Sequence, residues 1–292
     1  MRRICLLLAA ITFYHLAVSQ DDLLKELDSQ APKTTVIENT FKGSRLVNGQ
    51  TVETRGKGEL EFIFSHRFGA LNSGSYNLYG LDQAAVRLGL EYGITDRLGV
   101  GFGRSSSDKM MDYYVRYKLL RQQTSGMPVT ITGFGYASVK LAPPGDATTL
   151  NDRTAYVTQL LIARKFTPQL SLQLMPTFVH KNAVDKTIES NDQLAIGVGG
   201  RFKISRSVAI TSEYYHRLEV KSTNPYKNSI GFGVDIETGG HVFQLLLSSS
   251  QRITERTFIT ESTGDFFNGD IHLGFNVTRA FQLKKTKSKL AQ

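Results

Sequence analysis

The sequence has 292 residues, 35 Lys and Arg against 26 Asp and Glu, a net charge of +9 and one cysteine. That composition excludes a disulfide scaffold and a multi-cysteine metal site, and the modest basic excess comes without a nucleic-acid recognition motif, so nucleic acid is not an expected partner. Hydrophobic residues make up 40% of the chain, which suits a packed sheet or a lipid-facing one equally, so pattern rather than composition must separate the two.

Met1-Arg2-Arg3 precedes an apolar run from Ile4 to Val18 and then Ser19-Gln20. A positive start, a short apolar stretch and small residues before a cut are the layout of a cleaved export signal, here 1–19. The run is interrupted by Thr12 and His15 and is shorter than the roughly 20 apolar residues of a helical span. Cys5, the one cysteine, falls inside it.

Residues 20–57 form an expected N-terminal tail or plug segment. Asp21 to Leu27 has the makings of a short amphipathic helix ending before Pro32, placed on the membrane, inside a barrel lumen or mobile in the periplasm. Thr40 to Val52 adds apolar positions and an Asn48-Gly49 turn signal, the elements of a small hairpin.

After Gly58 strict alternation begins. Leu60, Phe62, Phe64 and Phe68 oppose Glu59, Glu61, Ser65 and Arg67. Asp82 to Arg104 reads as two strands around the turn Ile94-Thr95-Asp96-Arg97, with Leu88, Leu90, Val100 and Phe102 on one face and Arg87, Glu91, Gly99, Gly101 and Gly103 on the other. In the strand from Met110 to Leu120, Met111, Tyr113, Val115, Tyr117 and Leu119 oppose Asp112, Tyr114, Arg116 and Lys118. Val129 to Lys140 carries Ile131 and Val139 on one face and Phe134 and Tyr136 on the other, leaving its outward face open. Ala155 to Phe166, with Tyr156, Leu160 and Ile162 outward, turns through Thr167-Pro168-Gln169 into Leu170 to Lys181, where Pro176 weakens the strand or marks a bulge. The last third continues the rule: Leu194, Ile196, Val198 and Phe202 oppose Gly197, Gly199, Arg201 and Lys203; Val208, Ile210 and Tyr214 oppose Thr211, Glu213, Tyr215 and Arg217; Ile230, Phe232, Val234 and Ile236 oppose Gly231, Gly233, Asp235 and Glu237. Phe243, Leu245 and Leu247 follow, then a long polar loop from about Ser250 to Gly269, then Ile271, Leu273, Phe275 and Val277 against His272, Gly274 and Asn276.

The count is twelve strands, with connections that alternate between short turns and mostly longer loops, as in membrane barrels with turns on one side and loops on the other. A soluble sandwich shows the same alternation, but its second face would be rich in Lys, Glu and Thr. Here that face carries glycines at 89, 93, 99, 101, 103, 197, 199, 231, 233 and 274, which weaken an ordinary strand and leave room in a confined lumen. The expected fold is therefore an all-β, antiparallel, up-and-down transmembrane β-barrel over 58–281, with a basic tail at 282–292 containing Lys284, Lys285, Lys287 and Lys289. That tail is either solvated or in contact with anionic headgroups.

Several segments resemble one family. SHRFG at 65–69, GLDQAAVRLGLEYGITDRL at 80–98, QLLIARKF at 159–166, EYYHRL at 213–218, DIETGGHVFQL at 235–245 and GDIHLGFNVTR at 269–279 are similar to a Bacteroidota family of outer-membrane-type β-barrels of unknown function. The resemblance implies barrel architecture and an envelope location, and transfers no catalytic or ligand residue.

The candidate lumen-lining residues are Glu59, Glu61, Arg67, Arg87, Glu91, Asp112, Arg116, Lys118, Arg201, Glu213, Arg217, Asp235 and Glu237. Their mixed signs fit mutual pairing in a polar interior, or a charged path for a solute. Asp235, Glu237, His241 and His272 are the best metal candidates but lack ligand spacing, so no metal or cofactor is expected. Serine and histidine are scattered without a nucleophile motif, so no catalytic residue is assigned. The functional expectation is a passive pore or facilitator for a small solute or lipid-like molecule, with outer-membrane lipid as the surrounding partner. A non-conducting binding or scaffold barrel plugged by 20–57 is the alternative, and a membrane hydrolase a third.

Overall fold

The computed structural model describes residues 34–283; the expected export signal, the Asp21 to Leu27 helix and the lysines of the C-terminal tail lie outside them. Twelve antiparallel strands close on themselves: β1 Glu59–Ala70, β2 Ala84–Gly93, β3 Leu98–Ser105, β4 Met110–Leu120, β5 Thr130–Lys140, β6 Thr154–Lys165, β7 Leu170–Lys181, β8 Asp192–Lys203, β9 Val208–Arg217, β10 Ser229–Thr238, β11 His241–Ser248 and β12 His272–Gln282. Each strand pairs with its sequence neighbour, and β1 pairs with β12, from Glu59 opposite Gln282 to Arg67 opposite Gly274, with an irregularity before Ala70. Closure leaves no strand at an open edge, which is the condition for a sheet to stand in hydrocarbon.

Alternation decides the faces. Leu88 and Phe102 are 49% and 38% exposed, whereas Arg87 and Glu91 are wholly buried. The outer face is a belt of Leu, Val, Ile, Phe and Tyr, thinned on β5, where the outward positions include Gly133, Gly135 and Ala137. The open question at β5 resolves by its partner: Phe134 lies opposite Arg116 and Tyr136 opposite Tyr114, so both rings point inward, and Phe134 packs on Tyr114 at 5.5 Å between centroids. Pro176 on β7 does not make a bulge. The register with β6 is the same on both sides of it, but the pairings opposite Met175 and Pro176 are missing, as expected where a proline has no N–H to donate.

Short turns lie at the end that carries both chain ends of the barrel, and the long loops at the other. The β11–β12 connection departs from the expectation of an external polar loop. Its residues Ile253 to Ser262 are buried, and it forms a helix, α1, at Glu255–Thr260. Phe258 packs edge-on against the inward ring of Tyr215 on β9, with centroids 5.1 Å apart. The loop therefore folds back into the barrel from the long-loop end.

Candidate functional site

The lumen is occupied from both ends. Residues 34–39 run along the β4–β5 connection at the short-turn end, where Val36 bridges Gln123 and the Ile37 N–H bonds to the Gln122 carbonyl at 2.8 Å. The chain then enters the barrel, makes a hairpin in which Arg45 bridges Gln50 and the Leu46 N–H reaches the Gly49 carbonyl at 2.8 Å, and leaves to start β1. The Asn48-Gly49 turn signal sits at the tip of this hairpin, and Phe41, Leu46, Val47 and Val52 are buried.

A short hairpin leaves backbone groups unpaired, and buried unpaired groups are costly. The barrel wall supplies their partners. Glu213 on β9 accepts the backbone N–H groups of Val47, Asn48 and Gly49 at 3.1, 2.8 and 2.9 Å. Gln244 on β11 donates to the Leu46 carbonyl at 2.6 Å, and Asn276 on β12 to the Val47 carbonyl at 3.0 Å. Arg67 on β1 donates to the Asn48 side-chain oxygen at 2.8 Å. On the opposite wall, Gln173 on β7 accepts from the Val52 N–H at 2.9 Å and donates to the Gln50 carbonyl at 2.7 Å, while Thr132 on β5 donates to the Val52 carbonyl at 2.8 Å. Arg116 on β4 donates to the Glu53 carbonyl at 2.6 Å and to the Gln50 side chain.

Inner-face glycines give this hairpin its space. A Cβ on Gly231 would stand 2.9 Å from Val47 Cγ1, and one on Gly199 would collide with Leu46. Other glycines make room for wall residues, as where the Tyr114 ring lies across Gly101.

The residues expected to line the lumen take two kinds of partner, and Arg116 takes both. Wall-to-wall pairs are Arg87 with Asp112, whose Nε to Oδ2 distance is 3.0 Å, Arg116 with Glu91 at 3.2 Å, and Arg201 with Asp235 and Glu237. The others bind the inserted segments. Glu61 accepts from Ser44 at 2.8 Å and pairs with Arg55 at 3.3 Å; Lys118 pairs with Glu53 at 3.2 Å; Glu59 accepts the Gly56 N–H at 2.9 Å; Arg67 and Glu213 hold the hairpin tip. Arg217 donates to the Tyr226 carbonyl in the β9–β10 loop. His241 and His272 stand at opposite ends of the β11–β12 pair, and Asp235 and Glu237 are engaged by Arg201. Among the described residues, no cluster of three His, Cys, Asp or Glu side chains is placed to hold a metal.

The hairpin and the β11–β12 loop meet. Glu255 of α1 pairs with Arg45 at 3.0 Å and accepts from the Gln50 side chain, with both ion-pair partners buried. At the loop's outer end Glu261 gathers Lys181 and Arg256, each at 3.0 Å, Arg252 at 3.4 Å and Lys140 at 3.8 Å. Burial alone would raise the Glu261 pKa; these cations, Lys181 first, instead hold it at about 2.

Asn48 carries a turn signal in the sequence, but Arg45, Gln50, Gln173, Gln244, Glu255 and Glu261 are not among the candidate site residues read from it. The neutral amides carry no charge signal, and Glu255 and Glu261 sit in a stretch that reads as an external loop. Ile253, Phe258 and Ile259, apolar within that polar stretch, are the one trace of its burial.

No curated protein sequence matches the chain. Its barrel is similar to a KdgM porin, with 10% identity and a TM-score of 0.45 over 76% of this chain and 99% of that one. Salmonella typhi OmpF in complex with daunomycin gives 8% identity and a TM-score of 0.39 over 76% of this chain and 97% of that one. Acinetobacter baumannii Omp33 gives 9% and 0.40 over 77% and 99%. The family relationship comes from the sequence: residues 41–281 match the model of the membrane bound beta barrel domain DUF5777, so both the wall and the hairpin within it fall inside the match, and the chain belongs to that family.

Proposed function

We propose that the protein is a non-enzymatic outer-membrane barrel that offers a passive path to a small polar solute, and that residues 34–57 hold this path shut until they are displaced. The observation that carries the reading is the meeting of the hairpin tip with α1 through Arg45 and Glu255. Two segments from opposite ends complete one block across the lumen. The polar lining that remains, Arg67, Glu213, Gln173, Gln244 and Asn276, is what a water-filled path would expose once the hairpin leaves.

Single-channel recording in planar bilayers tests this. The full mature chain is expected to be silent or to open rarely, and a variant lacking 34–57, verified as folded by heat-modifiable migration, to show stable open steps. Steady conductance from the full chain would refute the closure. Silence from the folded deletion variant would refute the pore.

A further inference from the structure

The outer belt is notched where β8 meets β9. Reading across the wall by register, Arg164 on β6 lies opposite Leu172 on β7, Leu172 opposite Gly200 on β8, Gly200 opposite Ser212 on β9, and Ser212 opposite Phe232 on β10. Two of the smallest side chains stand together where the flanking outward positions are Leu, Val, Tyr and Phe. The result is an apolar groove of about 520 Å3 on the lipid-facing wall, bordered by Leu174, Val198, Tyr214 and Phe232 and reached by Arg164.

Arg164 is exposed one residue from the end of β6, at the short-turn side of the barrel. Its guanidinium lies 5.2 Å from the Phe166 ring centroid, and among the described residues it has no hydrogen bond or ion pair. The Ser212 hydroxyl likewise has no protein partner among them. A cation at the edge of the hydrocarbon is tolerated where it meets headgroups, and a guanidinium prefers the two oxygens of a phosphate. Adjacent strands are about 4.8 Å apart, which puts Arg164 two strands, or about 10 Å, from Gly200.

We propose that this groove retains one glycerophospholipid of the short-turn leaflet, with an acyl chain over Gly200 and Ser212 and the phosphodiester on Arg164. The lipid face itself selects the occupant, since the groove opens on hydrocarbon and its one cation lies at headgroup level. Arg279 provides an internal comparison. It stacks on Phe281 at 4.8 Å at the same end of the barrel, but its row runs through His241, Phe62 and Leu90, with no small residue beside it.

Native mass spectrometry of the full mature chain, purified in a mild detergent with phosphatidylglycerol and phosphatidylethanolamine added, reads the site. The wild type is expected to keep one phospholipid at collision energies that strip the rest. Ser212→Leu, which fills the notch, and Arg164→Gln are each expected to lower that occupancy about tenfold, and Arg279→Gln to leave it intact. Heat-modifiable migration confirms that each variant is folded. Equal loss in Arg279→Gln, no retained lipid in the wild type, or a second copy of the chain as the adduct removed by Ser212→Leu would each overturn the proposal. The inference rests on the membrane-embedded wall and is independent of whether the lumen conducts.

Discussion

Glu213 shows why charge on the inner face has to be read by partner. From sequence it is one of several acidic residues opposite a lipid-facing row. In the fold its carboxylate closes three backbone N–H groups of the hairpin tip at once, which a carboxylate with two oxygens does well and a carboxamide does poorly. Glu213→Gln turns an NH2 group toward a backbone donor, and the tip should loosen by roughly 2–3 kcal/mol. Hydrogen exchange at Val47, Asn48 and Gly49 reads that directly: faster exchange there, with strand amides unchanged, is expected, and unaltered protection would contradict the assignment. Inner-face charge is legible in the alternation of β1, β2, β4, β8, β9 and β10. Its partners are not, because Gln173, Gln244 and Asn276 bind backbone atoms, and backbone atoms leave no mark in a sequence.

At the level of elements, the hairpin and the β11–β12 loop differ in how they are held. The hairpin depends on neutral and charged hydrogen-bonding side chains from seven strands, β1, β4, β5, β7, β9, β11 and β12, whereas the outer end of the loop converges on Glu261. A carboxylate whose folded pKa is depressed to about 2 lends stability that is complete above its ordinary value of 4.5 and is lost as the pH falls through 2. Acidification across that window should release residues 249–262 while the strands persist, seen as faster exchange of the loop amides after correction for intrinsic rates. Glu261→Gln should show the loosened loop already at neutral pH, since it leaves the buried Arg256 charge without its carboxylate and Lys181 with Glu189 alone. A loop whose exchange ignores both changes would contradict the role given to Glu261. The strands of this barrel were readable because their side chains alternate with period two. The loop was not, because one six-residue helix with Phe258 and Ile259 among charged neighbours has too few apolar positions to set a period.

On the scale of the whole molecule, twelve strands, their closure and their lipid-facing rows follow from one repeated pattern, and the inner glycines foretell crowding without naming what crowds. The occupant is the chain's own N-terminal segment: Leu46 lies on Gly199 and Val47 on Gly231. This packing places the hairpin inside the lumen, and it can be tested with one covalent bond. A Cβ built on Gly231 stands 3.4 Å from the Val47 Cβ, close to the separation a disulfide requires, and the expected mature chain has no other cysteine to compete. In the double variant Val47→Cys, Gly231→Cys, inserted in outer membranes and exposed to a mild oxidant, the disulfide is expected to form in most molecules, whereas Val47→Cys paired with the outward-facing Phe232→Cys is expected to stay reduced. Free thiols at 47 and 231 in a folded barrel, or equal cross-linking of the outward control, would contradict the placement of the hairpin inside the lumen.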